Sequence, residues 1–224
     1  MTSAREDSDK STKVRTAILD ATEEIMKEAG YAAVSSRKVE SRAGLKSQLV
    51  HYHFGTMDDL FAAVWQRYDD RFLENQARVL ASERPLRALW ERSIDPETTT
   101  LRHEFIALAN HRKTIRDLVA RSTKRVFNMQ VAAISELFER HGIRPKDFPP
   151  MVIVQLLNFV ARSLITQRNL GLTEDHAAII KFVDQTIADI EGMIRKKQRS
   201  TKNVSGRSER PLHLPRAAAR SRKK

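Results

Sequence analysis

Cysteine is absent from all 224 residues. That excludes disulfides and thiolate metal sites and fits a reducing, cytoplasmic setting. Aromatic residues make up only 6% of the chain, and glycine and proline number seven each. With so few breakers between long stretches of helix formers, an all-α chain is expected. No apolar run exceeds a few residues, far short of a membrane span, so no membrane partner is expected. The start, MTSAREDSDKST, has no apolar h-region, and no signal peptide is expected. Also missing are a P-loop, a nucleophile elbow and a paired-carboxylate pattern. No catalytic residue and no cofactor are assigned, and an enzyme is not expected. His51 and His53 are two apart on an expected helix and point about 200° apart, so no metal site is assigned to them.

The formal net charge is +12, and its distribution matters more than its size. Residues 1–56 carry nine Lys/Arg against eight Asp/Glu, and 57–194 carry nineteen of each. Residues 195–224 carry twelve Lys/Arg against Glu209 alone. The excess therefore sits in a basic, proline-containing tail at 200–224, expected to be disordered. It is either a solubilising extension or a phosphate-binding arm.

The order along the chain follows from capping and periodicity. Residues 1–12 are polar and expected to be disordered. A first helix over 13–29 buries Val14, Ala17, Ile18, Ala21 and Ile25 and stops at Gly30. Ser35 can cap a second helix through Arg42. Thr56 and Asp59 form a capping box for a long fourth helix reaching about Ser82. Pro85, Asp95-Pro96, Thr114 and Pro150 then open further helices, and Gly142 closes the one that begins at Thr114.

Between the second and fourth helices lies AGLKSQLVHYHF, residues 43–54. It reads as a tight turn and a short helix exposing hydroxyl, amide and imidazole groups suited to base edges and phosphate oxygens. Two short helices joined by a glycine-containing turn form a helix-turn-helix unit. Double-stranded DNA is the expected partner.

The last two helices are apolar on two faces each. Ile180, Val183, Ile187, Ile190 and Ile194 follow a 3, 4, 3, 4 spacing, a coiled-coil-like seam. With Leu156, Val160 and Leu164 on the preceding helix, they are either a central helix pair within one subunit or the interface of a homodimer. The dimer is favoured, because a helix-turn-helix normally reads paired half-sites.

Gly30-Tyr31, the helix entered through Ser35, Ala43-Gly44-Leu45, the HYHF of 51–54 and the Thr56-x-Asp58-Asp59-Leu60 start resemble the TetR family of bacterial one-component transcriptional regulators. Residues 13–65 carry the resemblance. The remainder shares only an architecture of about five regulatory helices. The resemblance implies a helix-turn-helix DNA-binding domain at 13–56 and a helical regulatory and dimerisation domain at 57–199, about nine helices in all. It also implies a third helix in the major groove and an arginine early in the second. The positions that match are Arg37, Lys46, Ser47, Gln48, Leu49, His51, Tyr52 and His53. Arg37 would suit guanine, Gln48 adenine or a phosphate, and Leu49 thymine methyls, with the His51–His53 segment on phosphates. Val50 and Phe54 should point inward.

A small-molecule effector pocket is implied as well. Trp65, Tyr68, Phe72, Phe105, Phe127, Asn158 and Arg162 are its candidate residues, although the aromatics could equally be plain core. The implied mechanism is repression of a palindromic operator, with recognition helices roughly 34–36 Å apart, relieved by a small apolar effector. The alternatives are an activator of the same family and a nonspecific architectural protein that binds DNA through its tail. Lys38 and Met57 depart from the family pattern. So does Glu40, which stands where a small residue is usual and would have to tilt into solvent or weaken the packing of helices two and three.

Overall fold

The computed structural model describes residues 2–205, with side chains over 8–196. The basic tail expected to be disordered from 200 is helical as far as Ser205, a correction to its start, and residues 206–224 lie outside the described residues. Among the described residues there are nine α-helices and no strand. They are α1 (Thr2–Ala29), α2 (Ser36–Arg42), α3 (Leu49–Phe54), α4 (Met57–Leu80), α5 (Pro85–Ile94), α6 (Pro96–Ala109), α7 (Lys113–Arg140), α8 (Pro150–Asn169) and α9 (His176–Ser205). A single 3-10 turn, Tyr31–Ala33, follows α1. No helix among the described residues is long and apolar enough to cross a membrane.

Most boundaries follow the capping chemistry. At α4 both halves of the box are made: the Thr56 hydroxyl accepts the Asp59 N–H at 3.1 Å, and the Asp59 carboxylate accepts the Thr56 N–H at 3.1 Å. The Ser35 hydroxyl accepts the Lys38 N–H at the start of α2. Several boundaries differ from expectation. The N-terminal segment, expected to be loose, is helical from Thr2, because nothing between Thr2 and Ala29 interrupts an established helix and adding residues costs far less than nucleating them. Helix α7 starts at Lys113 without a side-chain cap, so Thr114 lies inside it. Helix α3 starts at Leu49, leaving Ser47 and Gln48 in the turn before it.

The apolar interior has two parts. One joins Ile18, Met26, Val39, Val50, Leu60, Phe61 and Trp65 to Leu101, Phe105 and Leu108 of α6 and Ile115 of α7. The other lies among α5, the second half of α7, α8 and α9, around Trp90, Phe138, Leu164 and Ile187. Ion pairs tie α1 to α4 beside the first core. Arg67 reaches Asp20 and Glu23, each at 2.7 Å, and Arg71 reaches Glu23 at 2.7 Å.

Candidate functional site

Helix α3 is only six residues long, too short to hold its shape without tertiary support. The support comes from both ends. Val50 is fully buried and Phe54 nearly so, as their apolar character requires. The Arg15 guanidinium lies 4.2 Å from the centre of the Phe54 ring, and its Nη1 donates to the His53 carbonyl at 3.1 Å. At the N-terminus Gln48 takes the cap position but makes no side-chain cap bond. Glu40 supplies what is missing: its buried carboxylate accepts the Val50 N–H at 3.2 Å. The expectation that Glu40 must tilt outward or weaken the packing of α2 and α3 is therefore corrected. The carboxylate turns inward, because an N-terminal N–H and the positive end of α3 stabilise negative charge there.

This anchoring leaves one face in solvent. Arg37, Lys46, Ser47, Gln48, His51 and Tyr52 are exposed, Tyr52 at 80%, while Leu49 and His53 are partly covered. The Tyr52 ring stands edge-on to His53, with centroids 5.0 Å apart. His51 Nδ1 lies 3.1 Å from the Gly55 carbonyl, to which it donates. Gln48 has φ 74°, the single positive φ of a non-glycine among the described residues. That conformation turns the backbone sharply into α3 and carries a strain of about 1–2 kcal/mol for a side-chain-bearing residue.

A cavity of about 590 Å³ opens between α4, α5, α6, α7 and α8. Phe72, Phe127, Asn158 and Arg162 line it, as expected from the sequence. Trp65, Tyr68 and Phe105 do not. Trp65 and Phe105 are buried in the first core with their centroids 5.0 Å apart. The Tyr68 hydroxyl donates to the Thr98 carbonyl at 3.1 Å, and burial pushes its pKa up to about 12. Beyond Asn158 and Arg162, sequence reasoning missed the polar part of the lining, which includes Gln76, Arg92, Arg102, His103 and Lys124. Each sits on a different helix or turn from the residues it faces, so no local spacing announces the set. Arg92 and Arg102 pack over the Phe72 ring at 4.9 and 5.1 Å, and burial lowers the pKa of both.

The residues expected at a dimer seam are divided. Leu164, Val183, Ile187 and Ile190 are buried within the subunit, closing the second core, and Val160 and Ile180 are partly buried. Leu156 is 56% exposed. Around it an apolar surface remains uncovered: Met151, Val152 and Phe159 on α8, with Phe182 and Met193 on α9. Helix α9 has two apolar faces, and the isoleucine seam is the one that turns inward. Helix α6 touches the turn between α1 and α2. The Glu104 carboxylate accepts the Tyr31 N–H at 2.8 Å and lies 3.2 Å from where a side chain at Gly30 (φ +79°) would begin.

The backbone resembles solved structures at low sequence identity. A protein described as a TetR-family transcriptional regulator from Rhodococcus sp. superposes with TM-score 0.60 at 20% identity, covering 82% of this chain and 99% of that one. Salmonella enterica GusR gives 0.56 at 16%, covering 81% and 95%. A TetR transcription regulator from Haloarcula marismortui ATCC 43049 gives 0.55 at 23%, covering 80% and 96%. At such identities the likeness is one of fold. No curated protein matches the chain in sequence. Residues 18–64, from α1 through the exposed α3 into α4, match the family model of bacterial regulatory proteins, tetR family. Residues 18–64 are thus similar in sequence to the tetR family of bacterial regulatory proteins, and the chain beyond them resembles such regulators in fold alone.

Proposed function

We propose that this protein is a transcriptional regulator of the TetR type that binds a palindromic operator as a homodimer, represses by default, acts in the cytoplasm and is released by a small-molecule effector. The observation that carries the reading is the anchored yet exposed α3. Val50 and Phe54 are spent on the core, so Gln48, His51 and Tyr52 are free to meet a duplex, with Arg37 and Lys46 beside them. Residues 13–56 then serve as the DNA-binding domain and 57–199 as the regulatory and dimerisation domain. The uncovered apolar surface around Leu156, Phe159 and Phe182 is the face that a second copy would cover, giving a four-helix bundle of α8 and α9 from each subunit. It replaces the isoleucine seam as the proposed interface.

The effector site is the five-helix cavity. Helices α4 and α6 link it to the DNA-binding end. Helix α4 begins just after α3 and brings Phe72 and Gln76 to the cavity, while α6 carries Arg102 and His103 at the cavity and Glu104 on the Gly30–Tyr31 turn. An occupant that favours a different position of either helix lowers DNA affinity, and DNA must lower effector affinity by the same factor.

Selection of bound fragments from genomic DNA tests the reading. The expected result is a two-fold symmetric site whose enrichment is lost in R37A and Q48A and retained after deletion of 206–224. Retained binding in the point variants, with loss on deletion of the tail, would instead establish a nonspecific tail-driven protein.

A further inference from the structure

The cavity's charge is one-sided. Arg92, Arg102, His103, Lys124 and Arg162, from four different helices, line it, and no Asp or Glu does. Among the described residues none of Arg92, Arg102, Lys124 and Arg162 forms an ion pair within 4.0 Å. The carboxylates that act on these groups are committed elsewhere, Glu104 to the Tyr31 N–H at 2.8 Å. Asp69 is held by Ser122 and by Arg125 Nη2 at 2.5 Å, and Asp95 caps α6 by accepting the Glu97 N–H at 3.1 Å.

Hydrogen bonding is one-sided in the same sense. Gln76 is 1% exposed, and its Nε2 has no partner. Arg92 Nε and Arg102 Nη1 are also buried without an acceptor, although Arg102 Nη2 donates to Thr123 Oγ1 at 2.9 Å. His103 Nδ1 donates to the Thr99 carbonyl at 3.0 Å, which leaves its buried Nε2 unpartnered and able to become a donor on protonation. Buried donors and guanidinium groups left without acceptors are costly, and an oxyanion relieves several of them at once. Phe72, Phe127, Ile106 and Ile165 give the lining its apolar part, beside neutral polar groups such as Thr123, Gln155 and Asn158.

We infer that the effector is an organic anion, a carboxylate or phosphate head on an apolar body, with its head among Arg92, Arg102 and His103 and its body against the phenylalanines. This rests on the effector reading above and replaces the purely apolar ligand expected from the sequence. The full-length protein is titrated calorimetrically with octanoate, octyl phosphate, 1-octanol and octylamine. Both anions are expected to bind, with the tighter of them identifying the head group. Octanol should bind at least roughly tenfold more weakly, the scale of one lost charge-assisted hydrogen bond, and octylamine not at all. R102Q should weaken the anions roughly tenfold and leave octanol unchanged. R162Q, altering an exposed side chain whose charge acts on Arg102 and His103 at the head-group end of the cavity, should also weaken the anions and serves if R102Q fails to fold. Octanol or octylamine binding as tightly as octanoate, no binding by either anion, or anion affinities indifferent to the folded variant would overturn the inference. If the anions bind with this dependence while operator affinity stays constant, the anion site stands and the regulatory reading of the cavity falls.

Discussion

Removing the Glu40 side chain should loosen α3 without disturbing α2. In E40A the Val50 N–H loses its acceptor at 3.2 Å in a buried setting, and Gln48 offers no replacement. A hydrogen bond to a charged partner contributes about 1.5–3 kcal/mol, and truncating an ordinary N-cap costs about 1 kcal/mol, so a loss of about 2 kcal/mol is expected. The backbone should not shift, since the Glu40 carbonyl still accepts the Leu45 N–H at 2.8 Å. E40Q keeps an acceptor oxygen but not the charge and should lose roughly half as much. Because α3 is the proposed reading element, a cost of about 2 kcal/mol on its folded form lowers operator affinity by up to roughly thirtyfold per subunit. Urea denaturation gives the stability change, and fluorescence anisotropy with the selected operator gives the affinity. An E40A protein with wild-type urea midpoint and wild-type affinity would refute the idea that this carboxylate holds α3.

Q48G should separate stability from recognition. Glycine at φ 74° relieves strain and raises stability by up to about 1 kcal/mol, while operator affinity falls; unchanged affinity would remove Gln48 from the interface. The double variant L156D/F182D should be monomeric by sedimentation velocity, with subunit stability altered by no more than about 1 kcal/mol, because these side chains are 56% and 73% exposed. A persistent dimer would place the interface elsewhere. His103 should make anion binding pH-dependent. Burial, with Arg102 and Arg162 adding to it, holds its pKa below the ordinary imidazole value, against the Thr99 hydrogen bond and Glu104. Arg92 on α5 and Lys124 on α7 complete the charges around the cavity. As pH falls below about 6.5 the unfolded chain binds the proton that the folded one resists. The free protein therefore loses stability through that window, and octanoate, which favours the imidazolium, binds more tightly. Both effects should vanish in H103Q, and a flat pH profile of octanoate affinity in the wild type would exclude His103 from the head-group site.

How much the sequence discloses depends on how local the cause is. The capping box at Thr56–Asp59 spans four residues, so the start of α4 can be located to within a residue. The inward turn of Val50 and Phe54 follows from one helical turn of spacing. Glu40 and Val50 are ten residues apart across a turn, and nothing in their spacing joins them. The start of α3 is hidden for another reason: its left-handed residue is glutamine, whereas glycine or asparagine would have signalled it. Helix α9 shows two apolar stripes, and only the packing of α5 and α8 decides which one turns inward. The charged lining of the cavity is assembled from four helices, and its one-sidedness exists only once they are packed.

The proposed boundary near residue 56 is not a boundary of packing. Leu101, Phe105 and Leu108 of α6 and Ile115 of α7 share one apolar core with Ile18, Val39 and Val50, so the DNA-binding end cannot repack independently of α6. On the proposed reading this continuity is what makes regulation possible. Coupling between effector and operator typically requires about 1–3 kcal/mol of differential free energy. The charge-assisted bond from the Tyr31 N–H to Glu104, at 2.8 Å, is worth about 1.5–3 kcal/mol, which matches that demand in one contact. His103 and Arg102 precede Glu104 on the same helix, so an occupant that draws them toward its head group moves the carboxylate as well. Close packing leaves little room for compensation, because Glu104 already lies against the one residue in that turn, Gly30, that has no side chain. A displacement of a few tenths of an ångström along α6 is therefore felt at the turn that sets α1 against α2.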